Sequence, residues 1–230
     1  MSTPSVKRSE LPVSRGSPSE SSRVGEVYDQ ILLQVVRGEL TGGTELKSTQ
    51  IARQLGTSRT PVVQALQRLA ADGIVSLEKN KRAVVRPGAE KWLVELHELR
   101  ELLEPAAAAR ACQHITEADL NRLDGLAAAA MPFAASDWQS AAQQFDFELH
   151  LTIAAHCGNF VLRQALQKIW AFKRLSYLAA RESPTTLEKG YAEHIALLAA
   201  LRARDAETAR AAMLFHLRSA ATLRGGGNVV

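Results

Sequence analysis

Four residues in the second half of the chain have side chains that could bind one metal ion together. Asp146 and His150 are four residues apart, so both project from the same face of a helix. His194 and His216 lie in two later segments whose apolar residues recur at helical spacing. If the three helices pack together, three imidazoles and one carboxylate could converge on a divalent cation inside a helical bundle. These four residues are the candidate metal ligands.

The same residues have a simpler interpretation. A single histidine beside an apolar stripe is more often a hydrogen-bonded core residue than a metal ligand. His97 and His114 have no partner at helical spacing, and His156 is six residues from His150 and faces elsewhere, so none of the three is a predicted ligand. If the metal is present, three histidines and one aspartate leave open positions on the ion. Zn²⁺, Ni²⁺ and Mn²⁺ would all fit this set.

An arginine near the start of the second half is a candidate for binding an anionic ligand. Arg100 lies among apolar residues, and its planar guanidinium can hold a carboxylate through two parallel hydrogen bonds. An ion pair with Glu104 or Glu101 on the same helix is an equally good interpretation. Further candidates for contact with the ligand are Asn159, Arg163 and Arg174.

These side chains have to be positioned by helices. Hydrophobic periodicity predicts helices near 90–111, 116–131, 137–156, 159–181, 185–203 and 205–223. Gly158, the Ser183-Pro184 pair and the Arg204-Asp205 pair mark breaks between successive helices. Short connections favour antiparallel neighbours, so the sequence predicts an all-α bundle of six to seven helices.

The stretch from Lys47 to Gly73 predicts two helices joined by a tight turn. The first would span 49–55, and Gly56 can adopt the left-handed conformation that the turn needs. Ser58 is a good N-cap for the second helix, which ends at Gly73. With polar residues at the start of the second helix, the pattern fits a helix-turn-helix that binds DNA. An ordinary corner between two core helices has the same pattern.

The segments around this stretch favour the DNA-binding interpretation. A helix over 23–37 precedes it, and two strands near 74–77 and 83–85 follow it around a charged turn. A basic hairpin directly after a recognition helix is typical of a wing that touches the DNA backbone or minor groove. Residues 1–22, with eight Ser and three Pro, are predicted to be a disordered tail. The predicted domains are therefore 23–87 and 88–224, with a flexible end at 225–230.

Composition and charge agree with this division. The chain has 230 residues, and its low aromatic content of 5% with abundant Ala and Leu favours helices. Residues 1–87 carry 13 Lys and Arg against 8 Asp and Glu, a net charge of +5, whereas residues 88–230 carry 15 against 16, a net charge of −1. A basic front half suits a polyanion such as DNA. No long apolar run or secretory signal is present, so a cytoplasmic protein with two reduced cysteines, Cys112 and Cys157, is expected.

From about Arg23 onward the chain resembles the FadR subfamily of GntR-type transcription regulators, with an FCD-type effector domain. In the front half the resemblance rests on Thr57-Ser-Arg-Thr-Pro61 and Ala65-Leu-Gln-Arg-Leu69. In the second half it rests on Leu99-Arg-Glu-Leu-Leu-Glu-Pro105, Asp146-Phe-Glu-Leu-His150, Gly158-Asn159, Glu193-His194 and the segment from Asp205 through Ala209 to His216-Leu217. Both sets occur in the same order as in the family.

The resemblance implies a winged helix that binds a palindromic operator as a homodimer. It implies DNA contacts by residues of the two helices and the wing, which here are Thr49, Thr57, Ser58, Arg59, Thr60, Gln64, Lys81 and Arg82. In such regulators the second domain binds a small organic acid, often through a metal held by one Asp and three His. By position these are Asp146, His150, His194 and His216, and Arg100 matches the arginine that commonly meets the effector. The predicted effector-binding residues are therefore Arg100 together with the candidates Asn159 and Arg174.

Two departures from the family pattern concern the DNA-reading residues. The family's recognition helix usually continues Pro-Val-Arg-Glu-Ala-Leu, but Val63 and Gln64 stand here in place of the Arg and Glu. An arginine that reads a base contributes about 1–3 kcal/mol of discrimination. In the wing, Arg82 stands where glycine is common. We therefore expect an unusual operator, or binding that depends more on Arg59 and the wing.

The sequence thus predicts a cytoplasmic, homodimeric, non-enzymatic transcription regulator, mainly α in fold. Repression relieved by a bound organic acid is the expected mode of control, through a shift between conformations. Two alternatives stay open. One is a regulator that responds to the metal itself, and the other is a metal-dependent enzyme joined to a DNA-binding domain.

Overall fold

The computed structural model describes residues 20–78, 82–179 and 182–225. Its first part contains three helices and three short strands. They are α1 (Glu20–Val36), β1 (Glu45–Leu46), α2 (Ser48–Gln54), α3 (Arg59–Ala71), β2 (Val75–Glu78) and β3 (Arg82–Val85).

Helices α2 and α3 form the predicted helix-turn-helix. Gly56 in the turn has φ of 59°, a conformation that costs a glycine little because it has no Cβ. Ser58 occupies the N-cap position of α3 with an extended backbone, although its side chain makes no capping hydrogen bond. Pro61 follows in the first turn of α3, where its missing N–H removes no helical hydrogen bond. Val62 and Leu69 of α3 are fully buried, and α1 packs against this face.

The wing has one strand more than the sequence predicts. Strands β2 and β3 pair antiparallel, with Leu77 opposite Ala83, and β1 pairs with the other edge of β3. The sheet order is β1-β3-β2. The two residues of β1 are too few to show the alternating pattern from which a strand is predicted. The fold class is confirmed, and the front half is a winged helix with a three-stranded sheet.

A short 3-10 helix over Ala89–Lys91 leads into six helices, as predicted. These helices are α4 (Trp92–Ala111), α5 (Glu117–Ala129), α6 (Trp138–His156), α7 (Phe160–Ala179), α8 (Pro184–Arg202) and α9 (Ala206–Gly225). Two of the predicted boundaries have clear caps, because Thr116 Oγ1 accepts from Asp119 N and Ser183 Oγ from Thr186 N, each at 3.1 Å. Among the described residues, no helix combines the length and hydropathy that a membrane span requires.

The bundle is built around α6. This helix packs against α4, α5, α7 and α8, and α9 lies along α4 and α8. Phe145, Leu149 and Ile153 of α6 are buried in a core shared with residues of α8 and α9. Burial of this stripe turns the neighbouring positions 146 and 150 of α6 toward α8 and α9. Cys112 and Cys157 are both free thiols in buried positions.

Side chains of the bundle take part in the core of the winged helix. Phe172 of α7 is buried in the cluster formed by α1, α3 and the sheet, and its ring lies 4.5 Å from that of Trp92, between centroids. Tyr28 of α1 also stacks on Phe172, at 6.2 Å between centroids. The two halves of the chain are therefore in direct contact through α7.

Candidate metal centre and nucleic-acid interface

Helices α6, α8 and α9 bring the four candidate ligands together. Asp146, His150, His194 and His216 each offer one ligand atom, and these atoms all lie within 4.8 Å of one another. Asp146 Oδ1 lies 3.3 Å from His150 Nε2 and 3.1 Å from His194 Nε2. The Nε2 atoms of His194 and His216 lie 3.1 Å apart. This is the spacing of donors that face a common point.

Carboxylates behind two of these imidazoles fix the ring orientations. His150 Nδ1 donates to Glu104, and His216 Nδ1 donates to Glu193 Oε2 at 2.9 Å. In both rings the Nε2 atom is therefore left facing the cluster. A carboxylate that accepts from the far nitrogen of a histidine is the usual support of a metal ligand, since it sets the tautomer and raises the basicity of the ring.

The pKa values of three candidate ligands, Asp146, His150 and His216, are moved toward the protonation states that metal ligands need. Burial lowers the pKa of His150, and burial together with the neighbouring His194 holds the pKa of His216 well below its ordinary value. Burial alone would raise the pKa of Asp146, but the hydrogen bond from His194 and the nearby charges bring it well below its ordinary value. Neutral imidazoles and an ionised carboxylate are the forms that bind a cation.

The residues present fit a divalent metal ion. His150 Nε2 is buried and has no hydrogen-bond partner among the described residues, although a nitrogen in such a position ordinarily has one. Three imidazole nitrogens and one carboxylate oxygen form a donor set that Zn²⁺, Ni²⁺ and Mn²⁺ accept. A cation at their common point would satisfy this nitrogen and separate the two facing Nε2 atoms of His194 and His216.

Arg100 makes the ion pair with Glu104 and also faces the cavity beside the cluster. Its Nε donates to Glu104 Oε1 at 2.5 Å, and the guanidinium lies over the ring of Trp170, 4.4 Å from the centroid. Trp170 Nε1 donates to the same Glu104 oxygen at 3.0 Å. Burial would raise the pKa of Glu104, but Arg100, followed by His150, lowers it to about 2. The two interpretations of Arg100 from the sequence are therefore compatible.

A small cavity adjoins the cluster. Its volume is about 50 Å³, and residues of α4, α6, α7, α8 and α9 line it. The polar side chains of its wall include Arg100, Asp146, Lys173, His194 and His216. Lys173 is buried and lies 4.0 Å from Glu182. Glu182 and Glu193 also line the cavity, so a ligand there would meet side chains of both charges beside the candidate metal site.

Other predicted ligand-contact residues lie elsewhere or outside the described side chains. Asn159 is exposed and does not line the cavity, because it precedes α7 and its Oδ1 accepts from Leu162 N at 3.0 Å, capping that helix. Arg163 lies over the ring of Phe160, near the start of α7. Arg174 is part of α7, but its side chain lies outside the described part of the structure. Of the predicted contacts whose side chains the structure describes, it brings only Arg100 to the cluster.

Sequence reasoning missed the supporting side chains. The sequence suggests Glu104 as a partner of Arg100 and as part of a family motif, yet it also accepts from His150 and Trp170. Glu193 was only part of the family motif, although it bonds to His216 on another helix. Its position next to a candidate ligand was the one available signal. Of the other histidines, His97 bonds to the Leu217 carbonyl and His156 to Asp119.

The candidate DNA-contact residues lie on the outer surface of the helix-turn-helix. Thr49, Ser58, Arg59, Thr60 and Gln64 are exposed, and Thr57 is half-buried. Arg59 Nε donates to Ser48 Oγ at 3.0 Å, so the arginine bridges the start of α3 and the start of α2. In the wing, Arg82 is exposed and lies 3.8 Å from Glu45, whereas Lys81 lies outside the described residues. These positions leave the leading residues of α3 open to a DNA groove.

Comparisons with known proteins agree with both halves of this structure. Residues 23–85 match the bacterial regulatory proteins of the gntR family, and residues 95–219 match the FCD domain. The probable D-xylose utilization operon transcriptional repressor of Paenarthrobacter nicotinovorans is 28% identical over 206 residues, which cover 89% of this chain and 90% of that protein.

McbR of Escherichia coli, an HTH-type transcriptional regulator, is 28% identical over 195 residues, covering 80% of this chain and 85% of McbR. In a structure comparison, E. coli McbR/YncC superposes with a TM-score of 0.62 at 25% identity, covering 88% of this chain and 96% of that one. These relatives are named as transcription regulators rather than as enzymes.

A gntR-type winged helix joined to an FCD helical bundle is the architecture of a DNA-binding transcription regulator. The chain belongs to the GntR family, in the branch of FadR type whose C-terminal domain is an FCD domain.

Proposed function

We propose that the chain is a homodimeric repressor whose release from a palindromic operator is controlled by a small organic acid. The acid binds in the cavity beside Asp146, His150, His194 and His216, which hold a divalent metal ion. The observation that carries this proposal is the set of ligand atoms within 4.8 Å of one another, with two of the rings supported from behind by the carboxylates of Glu104 and Glu193. FCD domains often bind metals, which agrees with this assignment.

The chemistry of the cavity supports an anionic effector. A bound divalent ion supplies positive charge and open coordination positions that a carboxylate or a neighbouring hydroxyl can fill. Arg100 contributes a guanidinium that Glu104 and Trp170 hold in place, and Lys173 adds a second cation to the wall. An acid that bridges these groups would draw α4, α7, α8 and α9 together. Such a ligand favours one packing of the bundle over another and so changes the position of the winged helix relative to the bundle.

In the front half, we propose that Arg59, Thr60 and Gln64 read base edges. Thr49 and Ser58 would contact the DNA backbone, and Lys81 and Arg82 would contact it from the wing. The hydroxyl of Thr57 is buried, so this predicted contact residue is left out of the proposed interface. Exposure of Arg59, Thr60 and Gln64 at the start of α3 supports this assignment. Val63 is half-buried and its side chain has no polar atom, so the position where the family usually has arginine offers no polar side-chain contact here.

Two experiments test the proposal. In a thermal-shift screen, protein stripped with a chelator is heated alone, with Zn²⁺, Ni²⁺ or Mn²⁺, and with each metal plus a small ligand. The ligands include L-lactate and D-xylose, because relatives of this chain are named for an L-lactate dehydrogenase operon and a D-xylose utilization operon. A ligand that binds only the native state raises its melting temperature. In the second experiment, the protein selects a DNA duplex from a random pool. Release of that duplex from the protein is then measured after an acid or a chelator is added.

The outcomes separate the proposal from its alternatives. Release of the selected duplex by a carboxylate, with metal retained, supports the organic-acid regulator. Release on chelation alone, with no effect of any acid, would instead identify a regulator that senses the metal. Chemical conversion of an added acid would support a metal-dependent enzyme. If no metal stabilises the stripped protein, the proposed metal centre is wrong.

A further inference from the structure

The C-terminal end of the recognition helix is tied to both neighbouring helices through one carboxylate. Asp72 is the C-cap residue of α3. Its Oδ2 accepts from the hydroxyl of Tyr28 on α1 at 2.7 Å, and its Oδ1 lies 2.6 Å from Nζ of Lys168 on α7. Asp72 therefore joins the helix that reads DNA to a helix of the second half of the chain.

A carboxylate at this position needs compensation. The C-terminal end of a helix carries partial negative charge, so an aspartate there is unfavourable unless a donor or a cation faces it. Tyr28 and Lys168 supply both. The pKa of Tyr28 is raised, first because burial disfavours the phenolate and then because Asp72 accepts its proton in a hydrogen bond. The ammonium of Lys168 comes from the second half of the chain.

The same short stretch of α7 also contacts the cluster of candidate metal ligands. Trp170, two residues after Lys168, lies against the ring of His150 with centroids 4.4 Å apart and donates to Glu104. Phe172, two residues further, is buried in the core of the winged helix. Positions 168, 170 and 172 therefore contact, in turn, the end of α3, the support of His150 and the core beside α1.

We propose that Lys168 and Phe172 are positioning residues for DNA reading. They fix α3 to α7 and thereby to the cluster of candidate metal ligands. A change in the packing of His150 and Glu104 displaces Trp170. Lys168 and Phe172, two residues before and after Trp170, carry that displacement to the recognition helix. The inference rests on the proposed function, because it concerns how the state of the cluster alters operator binding.

The first test concerns the ion pair alone and needs no metal. Affinity for a duplex selected on the wild-type protein is measured for Lys168→Asp, Asp72→Lys and the double exchange of the two. Each single variant should weaken binding by about threefold or more, and the exchange should restore it to within about twofold. Lys189→Asp, an exposed lysine of α8, is the matched control for the change in charge. Equal losses in Lys168→Asp and Lys189→Asp would contradict the role of the pair.

The second test concerns transmission and uses Zn²⁺ alone as the probe. In the wild-type protein, stripped and Zn²⁺-loaded forms should differ in affinity for the duplex by about fivefold or more. Lys168→Met should bind the same amount of Zn²⁺ as the wild type. Its stripped and Zn²⁺-loaded forms should differ by less than about twofold in affinity for the duplex. Lys168→Arg should recover the difference, because it restores the cation. Lys168 is largely exposed, so its loss should leave the fold intact.

The results distinguish the inference from the proposed function. If Lys168→Met binds Zn²⁺ and keeps the full wild-type difference, transmission through Lys168 is wrong and the metal centre stands. If the wild-type protein binds no metal, the proposed metal centre fails and transmission fails with it, whereas the exchange of Asp72 and Lys168 still decides whether the pair positions α3. Phe172 is less suitable for this test, because its replacement removes a core side chain.

Discussion

His216 and Glu193 form a hydrogen bond of 2.9 Å between Nδ1 and Oε2, and this bond turns the opposite nitrogen of the ring toward His194. Ser219 Oγ donates to the other oxygen of Glu193 at 2.6 Å. The carboxylate is thus held from two sides. An orientation fixed in this way costs no further ordering when a ligand binds.

Glu193→Gln should weaken metal affinity about tenfold or more, since loss of a supporting carboxylate typically has that effect. The glutamine keeps the size of the side chain but lowers the basicity of His216. Calorimetric titration of the metal-free protein with Zn²⁺ measures the change in metal affinity. Glu188→Gln, at an exposed position of the same helix, is the control. Equal affinities in the two variants would remove Glu193 from the site.

Replacing a candidate ligand should lower the amount of bound metal. His150→Ala and His216→Ala each remove one nitrogen of the donor set, so elemental analysis after dialysis should find less metal per chain than in the wild type. His156→Ala is the matched control, because His156 also lies on α6 but bonds to Asp119. Unchanged stoichiometry in both ligand variants would refute the metal site.

Glu104→Gln should destabilise the folded chain by about 3–5 kcal/mol, the usual cost of breaking a buried charge pair by removing one partner. Arg100 and Glu104 are 3% and 2% exposed, so the arginine would lose its counter-charge without access to water. Urea unfolding followed by circular dichroism measures the loss. The matched change Glu98→Gln lies on the exposed face of the same helix and should be nearly neutral. A similar midpoint for both variants would count against the importance of this pair.

Arg59→Ala should abolish selective operator binding while leaving the circular dichroism spectrum unchanged. Arg59 is exposed at the first position of α3, so its loss should remove the proposed DNA contact and no core packing. Competition between the selected duplex and a scrambled duplex measures selectivity. Arg210→Ala, on the exposed side of α9, is the control for lost charge. Retained selectivity in Arg59→Ala would exclude Arg59 from base reading.

Affinity for the selected duplex should fall steeply as salt is raised, because contacts with phosphates release condensed counterions. The slope of log affinity against log salt should become shallower by about one for Arg82→Ala if Arg82 contacts one phosphate. Fluorescence anisotropy at several salt concentrations gives both slopes. A flat dependence in the wild type would contradict a basic wing on DNA.

Much of the fold could be predicted from local patterns. The helices of both halves have apolar stripes long enough to show their period, and Gly56 and Ser58 mark the turn before α3. Strand β1 could not be found, because two residues carry no period and β1 forms by pairing with β3, which is distant in the chain. The grouping of Asp146 with His150 follows from helix geometry.

The support of the candidate site could not be predicted in the same way. Glu104 meets His150 across two helices, and Glu193 meets His216 across another two, so each pair depends on how helices pack. Asn159 shows the opposite problem, because a polar residue near a candidate site is also a good helix cap. Residue type and position alone do not distinguish these uses.

The place of Phe172 bears on how such regulators can be recombined. A winged helix cut from this chain at residue 87 would lack Phe172 and the Trp92 ring that packs on it, and a foreign sensor domain would have to supply equivalents. Chimaeras joined at the linker should therefore fold well only when the donor's matching helix carries a large apolar residue at this position. The two halves are separate in sequence, but they are not freely exchangeable parts.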